Sequence, residues 1–320
     1  MTLEASPSTS ENKKRVLVTG LEGFTGVHLA AELERHDFEV WGLDHVATNR
    51  PRRLVADLTS TESLRKAIEQ AQPQYVVHLA GVAFVGHGNP KAFYDINLVG
   101  TRNLLEALAQ SAGKLECVLL ASSANIYGNS SSGLLNESTH CHPANDYAVS
   151  KLAMEFMAKL WIPQLPIVLA RPFNYTGQGQ TESFLIPKIV AHFAQKKQTI
   201  ELGNMEVWRE FNDVRDVAFA YRKLLEAKPI GQAVNVCSGQ LVSLKEVLAL
   251  AESITAHTIK TQVNPAFVRP NEVIELGGDP ALLKKLIKEW QPRPLNDTLK
   301  WMLESAAQVK TATTVNGKQS

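Results

Sequence analysis

The stretch Arg15-Val16-Leu17-Val18-Thr19-Gly20-Leu21-Glu22-Gly23-Phe24-Thr25-Gly26 decides the fold of this chain. Its short apolar run predicts a strand buried on both faces. Gly20, Gly23 and Gly26 follow at once, and apolar residues then recur at helical spacing through Leu29 and Leu33. Strand, glycine turn and helix in that order build a phosphate cradle. Without Cβ atoms the backbone amides can approach a pyrophosphate, and the helix N-terminus adds partial positive charge. An ordinary glycine-rich βα turn is the alternative, but strand, spacing and position near the chain start favour the cradle. Gly20, Gly23, Phe24, Thr25 and Gly26 are therefore expected at a dinucleotide.

Downstream, a second strand from Phe38 to Leu43 ends at Asp44. An acidic residue about twenty positions past the glycines suits the ribose hydroxyls of NAD and repels a 2′-phosphate. Arg50, Arg52 and Arg53 follow closely, and one of them would suit NADP instead, so NAD(H) is preferred and NADP(H) stays open. Leu54 to Ala56 predicts a third strand, with Asp57-Leu58 at its end to grip an adenine. Asp57 reads equally as the cap of a helix starting near Thr59 or Ser60. Tyr75 to Leu79 is strand four, and Leu79, Ala80 and Gly81 let the backbone reach the cofactor. His78 reads as a satisfied core histidine. Residues 84–90, with His87, form a glycine-rich loop on the substrate side. A long helix from Lys91 to Ala112 carries Asn97, also assigned to the cofactor. Cys117 to Ala121 is strand five and delivers Ser122 and Ser123 at its C-terminal end, the edge where ligands gather in open parallel sheets. This alternation predicts an α/β fold: a right-handed, doubly wound parallel sheet of Rossmann type.

The second informative stretch is Asn145-Asp146-Tyr147-Ala148-Val149-Ser150-Lys151. A tyrosine and a lysine four apart project from one helix face. The ammonium of Lys151 is expected to favour the phenolate of Tyr147; lowering a phenol by about three units takes roughly 4 kcal/mol. Such a phenol can exchange a proton with a carbonyl or alcohol. Taken alone the pair would be solvated helix surface, and the upstream cradle is what gives it meaning.

Composition bounds the rest. The 320 residues are 44% hydrophobic and 20% charged, enough for one large or two unequal domains with a core, and the net charge of +1 argues against a nucleic-acid surface. No apolar run approaches the roughly 18 residues of a membrane span. Met1 to Asn12 lacks the pattern of a secretory signal, and Cys117, Cys141 and Cys237 read as reduced thiols without metal-type spacing, so a cytoplasmic protein without a metal is expected. Past Arg171 the pattern loosens. Helices are predicted from Phe184 to Gln195 and from Asp213 to Glu226, short strands near Thr199 and Trp208, and a helix capped by Ser243 with Glu246 three residues on. The predicted organisation is a disordered tail over 1–12, a dinucleotide-binding domain over 13–171 to which some later segments return, a smaller α/β substrate-binding lobe mainly over 172–305, and a disordered tail over 306–320.

With the glycine turn, Ser123, Tyr147 and Lys151 in hand, the chain resembles the extended short-chain dehydrogenase/reductases of the NAD-dependent epimerase/dehydratase kind. Within them it resembles the branch that modifies nucleotide-linked hexoses, from about Lys14 to about Leu303. The resemblance implies that Ser123 and Tyr147 contact the sugar C4 oxygen, while Lys151 orients the nicotinamide ribose and lowers the tyrosine. Arg171-Pro172-Phe173-Asn174-Tyr175-Thr176-Gly177-Gln178-Gly179-Gln180, Leu202-Gly203-Asn204-Met205 with Trp208-Arg209-Glu210-Phe211, Asn235-Val236-Cys237-Ser238-Gly239 and Arg269-Pro270-Asn271-Glu272-Val273 resemble stretches of the GDP-mannose dehydratase and GDP-4-keto-6-deoxymannose reductase group. By that likeness Asn174, Arg209 and Arg269 contact the nucleotide diphosphate, Glu272 the nucleotide ribose, and Asn125 lies against the substrate. Arginine forks suit phosphate oxygens.

Departures narrow the reading. A 4,6-dehydratase of this kind carries a glutamate two residues after the catalytic serine or threonine, and Asn125 cannot act as that base. Gln178 stands for a proline and Glu210 for an aspartate. The implied activity is NAD(P)H-dependent reduction of a nucleotide-linked 4-keto-6-deoxyhexose, GDP-4-keto-6-deoxy-D-mannose to GDP-D-rhamnose first among them. The alternatives are a 4-epimerase with tightly held NAD, a reductase of a dTDP- or UDP-linked sugar, or a non-catalytic dinucleotide sensor. Helices like Lys91–Ala112 and Asp146–Leu160 pair into a four-helix bundle in dimers of this family, so the resemblance implies a homodimer.

Overall fold

The computed structural model describes residues 13–83, 89–128, 133–268 and 274–316, with side chains through 306. Seven parallel strands form the main sheet: β1 (Lys14–Thr19), β2 (Phe38–Asp44), β3 (Arg53–Val55), β4 (Tyr75–His78), β5 (Cys117–Ala121), β7 (Ile167–Pro172) and β12 (Ala233–Val236). Their order is β12-β7-β5-β4-β1-β2-β3. The winding reverses between β1 and β4, and a crevice opens beyond their carboxyl ends. Register sets what lines it. Thr19 pairs with Leu43 on one side and His78 on the other, so Gly20, Asp44 and Leu79 emerge at one level.

The apolar run of β1 is divided between two faces. Val16 and Val18 pack with Leu29 and Leu33 of α1 (Phe24–Glu34) and with Val217, Tyr221 and Leu224 of α7 (Val214–Ala227). Leu17 packs with Leu64 and Ile68 of α2 (Thr61–Ala71), Leu104 and Leu108 of α4 (Thr101–Ser111), and Met154 of α5 (Asp146–Lys159). The period of two explains why a strand covered on both sides reads as a continuous hydrophobic run.

A smaller lobe gathers α6 (Leu185–Ala194), α8 (Leu244–Thr255) and α10 (Leu295–Asn316) around Ile189, Phe193, Val247, Leu248 and Leu299. Short strands edge it: β9 (Thr199–Leu202) beside β14 (Lys260–Val263), and β6 (Leu134–Leu135), β10 (Trp208–Arg209), β13 (Val242–Ser243) and β15 (Glu275–Gly278) in one sheet. β8 (Tyr175–Thr176) and β11 (Asn212–Asp213) pair alongside, and α9 (Ala281–Leu286) packs Leu283 onto the main sheet. The Ser243–Glu246 capping box forms as expected. β12 lies in the main sheet and α7 packs against it.

Five expectations are corrected. β4 ends at His78 and β3 begins at Arg53, each one residue earlier than the sequence suggests. The helix over 91–112 is not uniform: a first turn, α3 (Pro90–Ala92), runs into a π-helical segment, Phe93–Gly100, before α4. Ser60, not Asp57, caps α2, accepting from Ser63 N. The backbone of α10 runs on to Asn316, through most of the tail read as disordered. Ala, Glu, Gln and Lys are good helix formers, and neither Gly nor Pro interrupts them from 295 to 316, whereas polarity alone had suggested disorder. Among the described residues, no helix is long and apolar enough to cross a membrane.

Candidate active site

Backbone geometry explains the glycines. Gly20 sits at φ +70°, and a Cβ there would lie 2.9 Å from Ala80 N; at Gly26 it would meet the Gly20 and Leu21 carbonyls at 2.4 Å. Gly20 N donates to Leu43 O (2.9 Å) and Gly23 N to Gly20 O (3.1 Å), closing the turn across β1 and β2. Gly23 starts α1 with no side chain capping it, so the first amides of that helix suit an anion. Phe24 stacks on Tyr175 (5.9 Å, 12°) and Thr25 Oγ1 is 2.8 Å from the Tyr175 hydroxyl, which ties the cradle to the small lobe.

At the end of β2 the Oδ2 of Asp44 is buried without a hydrogen-bond partner. Burial holds this carboxyl above its usual range. The Glu22 backbone N–H bonds it and opposes that shift, while the Glu22 charge adds to it. An unsatisfied carboxylate oxygen level with the glycine turn fits a ribose hydroxyl, and the glycine cradle fits a pyrophosphate, so the residues present suit a dinucleotide. Asp57 lies in an exposed turn, accepting from Thr59 N at 2.8 Å, which lowers its carboxyl. Leu58 is buried against Gly100, its carbonyl bonded by Asn103 Nδ2 (2.9 Å).

A polar relay runs from β1 to the catalytic helix. Thr101 Oγ1 donates to Asn97 O (2.7 Å), so it accepts from His78 Nε2 (2.9 Å), and His78 Nδ1 then accepts from Thr19 Oγ1 (2.6 Å). Thr19 Oγ1 in turn accepts from Ala80 N (3.1 Å). Burial, with Lys151 nearby, pushes the imidazole down to about 3, so His78 is the neutral core histidine expected from sequence. Asn97 lies within the π-helical segment. It accepts from Val82 N (2.9 Å) and donates to Val82 O (3.1 Å) and Ser150 Oγ (3.1 Å). Gly81 faces both Asn97 Oδ1 and Lys151 Nζ, at 2.8 and 3.6 Å from where its Cβ would be.

Strand β5 carries the chain to Ser122 and Ser123. Ser122 N donates to Ala170 O (2.7 Å), while its Oγ is buried without a partner. Ser123 caps the 3₁₀ turn Ala124–Tyr127, accepting from Asn125 N, and hydrogen-bonds Tyr147. Asn145 caps α5 through Ala148 N (2.9 Å), which fixes Tyr147 in the first turn and Lys151 one turn on. Tyr147 and Lys151 are both buried.

The expected tuning of the phenol is not what the geometry produces. Burial raises Tyr147 to about 12, with the Ser123 hydrogen bond pulling the other way. Burial lowers Lys151 to about 8, countered by Glu155, and its Nζ donates to Ala121 O at 2.8 Å. Desolvation outweighs the pairing that spacing alone suggests. Tyr147 thus keeps its proton through neutral pH, and Lys151 is the group that titrates near it.

Of the substrate-side residues, Arg209 Nη1 donates to the Trp208 and Ile274 carbonyls (both 2.8 Å), and the Asn174 carbonyl accepts from Asn212. Arg269, Glu272 and His87 lie outside the described residues. The two departures from the family pattern are structural ties. Gln178 Nε2 reaches Trp301 O and its own carbonyl bonds His28 Nε2, both at 2.8 Å. Glu210 is fully buried and accepts from Ser238 N, Ser238 Oγ, Gly278 N and Asn212 Nδ2. Sequence reasoning missed Thr19, Thr101 and Ser150 in the relay and Tyr175 beside the cradle. Only Thr19, the last residue of a strand feeding a glycine turn, carried a local signal.

Comparison with known proteins agrees with this geometry. Residues 16–237 match the NAD dependent epimerase/dehydratase family. The chain is 36% identical over 275 residues to GDP-6-deoxy-D-talose 4-dehydrogenase of Aggregatibacter actinomycetemcomitans, covering 85% of this chain and 91% of the other. It is 37% identical over 294 residues to GDP-6-deoxy-D-mannose reductase of Pseudomonas aeruginosa, covering 87% and 92%. The structure of RMD from Pseudomonas aeruginosa complexed with NADPH superposes with a TM-score of 0.82 at 32% identity, over 92% of this chain and 99% of that one. With this likeness spanning nearly the whole molecule, the chain belongs to the NAD-dependent epimerase/dehydratase family, as an NAD(P)-dependent nucleotide-sugar oxidoreductase of the short-chain dehydrogenase/reductase type.

Proposed function

We propose that the protein reduces the C4 ketone of a GDP-linked 4-keto-6-deoxyhexose, GDP-4-keto-6-deoxy-D-mannose, to GDP-D-rhamnose, with NADH preferred. The observation that carries this is a buried, protonated Tyr147 hydrogen-bonded to Ser123, beside Lys151 at the crevice above the glycine turn. A bound nicotinamide supplies the hydride equivalent; the chain supplies the proton and the geometry. Tyr147 donates its proton to the C4 oxygen as negative charge develops there, and Ser123 donates a hydrogen bond to the same oxygen. Such prepositioned donors are worth roughly 3 kcal/mol each. Lys151, charged below about 8, supports the tyrosine and holds the nicotinamide ribose near Asn97 and Gly81. Asp44 takes the adenosine ribose, and Ser122, with its unpartnered hydroxyl, lies along the cofactor. Asn125, Asn174, Arg209, Arg269 and Glu272 are assigned to the nucleotide-sugar. Asn125 has no basic group to remove a C5 proton, which favours reduction over dehydration.

The nucleotide and the ketone have separate support. Both curated relatives are named for GDP-linked 6-deoxyhexoses. Mannose and talose differ only at C4, so oxidation at that carbon makes the same ketone from either. Incubation with NADH and GDP-4-keto-6-deoxy-D-mannose should consume NADH in proportion to product, and the C4 configuration should be that of GDP-D-rhamnose. Consumption with a dTDP-linked ketosugar alone would overturn the choice of nucleotide, and a product of the talo configuration the choice of face.

We also propose that the protein works as a homodimer through α5. Val149 and Phe156 on α5 and Leu160 at its C-cap recur at helical spacing, with Phe156 61% and Leu160 77% exposed, and Val99 of the π-helical segment packed against α5 is exposed too. An apolar stripe of that kind calls for a partner helix. Light scattering should give twice the chain mass, and Phe156→Glu should give a monomer; a monomeric wild type would defeat this.

A further inference from the structure

We infer that Glu22, in the glycine turn, is the residue that sets the preference for NAD(H) over NADP(H), because it engages the two arginines that would otherwise receive a 2′-phosphate. This rests on the dinucleotide site described above and adds a residue that the position of Asp44 alone does not supply. Arg50 Nη1 and Arg53 Nε each meet a different oxygen of the Glu22 carboxylate at 2.9 Å. Arg53 is the more deeply seated of the two. Its side chain lies across strand β2 where residue 42 is glycine, since a Cβ at Gly42 would come 2.7 Å from Arg53 Cδ. The Glu22 backbone N–H bonds the Asp44 carboxyl, so turn, arginines and acidic strand end form one unit.

The consequence is one of charge. A guanidinium can give a phosphate two parallel charge-assisted hydrogen bonds, but a fork already held by a carboxylate must break that pair first. The group left facing the adenosine ribose is then the unsatisfied Asp44 oxygen, which welcomes a hydroxyl donor and repels a phosphate dianion. Arg52 is exposed and held in the left-handed region at φ +56°, with its carbonyl accepting from Gly42 N. It has no such seat across the strand.

The test is the ratio of affinities for 5′-ADP and adenosine 2′,5′-bisphosphate by calorimetry, together with kcat/KM for NADH and NADPH. Wild type should favour 5′-ADP and NADH. Glu22→Ser should shift both ratios toward the 2′-phosphate by at least about fivefold, the size expected for one charge-assisted contact made available. Adding Arg50→Ala and Arg53→Ala to Glu22→Ser should cancel the gain, which separates release of the arginines from mere loosening of the turn. A smaller shift, a gain that survives loss of both arginines, or a wild type that favours NADPH would each overturn the inference. A wild type that binds neither nucleotide would overturn the cofactor reading as well. Unchanged ratios in a protein that still oxidises NADH with ketosugar would defeat the role of Glu22 alone.

Discussion

Tyr147→Phe is expected to fold, bind dinucleotide and reduce the ketosugar about 10³-fold more slowly than wild type. The change removes one hydroxyl and little else. The ring is buried and meets Phe93 edge-on (5.9 Å, 62°), a contact that phenylalanine keeps. Ser123 still accepts from Asn125 N, so the turn that presents it survives. What disappears is the proton that burial has held on the phenol, at about 12, ready for an oxygen turning into an alkoxide. A C4 alkoxide is a stronger base than that phenolate, so transfer runs downhill while the phenol keeps its proton. The KM for NADH should move little, since the change leaves the proposed cofactor contacts of the glycine turn and Asp44 untouched. Retention of more than about a tenth of wild-type kcat would remove Tyr147 from the role of acid. Full activity would reopen the non-catalytic, dinucleotide-sensing reading.

The cradle and the sheet were legible because their signals are local. Arg15 to Gly26 contains strand, turn and helix start within one stretch, and Asp44 follows from counting. Ser123, Tyr147 and Lys151 were legible as a spacing. Their proton affinities were not, because desolvation depends on what covers them, and Lys151 turns out to donate to Ala121 O, thirty residues away. The π-helical segment was invisible for a related reason. Asn97 is engaged by Val82 and Ser150, contacts that no helical periodicity in 93–100 announces. Glu22 carried no separate signal in the sequence, since its partners Arg50 and Arg53 lie 28 and 31 residues on. Arg171 read as part of a family stretch, and its partner was not named at all.

That partner is Glu155, and removing Arg171 should cost more stability than any other single change considered. Arg171→Met is expected to lower unfolding free energy by about 3 to 5 kcal/mol in urea titrations, because it strands a buried carboxylate. Arg171, at the end of β7, meets Glu155 of α5 through both Nε (2.9 Å) and Nη2 (2.6 Å), with both side chains nearly inaccessible. Its Nη1 also donates to the Tyr127 hydroxyl (2.9 Å) and the Glu137 carbonyl (3.2 Å). Combining Arg171→Met with Glu155→Leu should cost far less than the two single losses together, since an apolar pair of similar volume leaves no stranded charge. The pair also reaches the chemistry. Glu155 stands one turn beyond Lys151 and raises its proton affinity against the effect of burial. Tyr147 stays protonated to about 12, so the alkaline limb of kcat/KM for reduction should report Lys151, near pH 8. Glu155→Gln withdraws the charge that favours the ammonium, so Lys151 should lose its proton at lower pH and the limb should move in the acid direction. A limb that stays in place would detach Glu155 from Lys151, and a cost below about 1 kcal/mol for Arg171→Met would make the buried pair a bystander. Both measurements ask whether the ion pair that joins the last catalytic turn to the sheet also sets the charge on the lysine beside it.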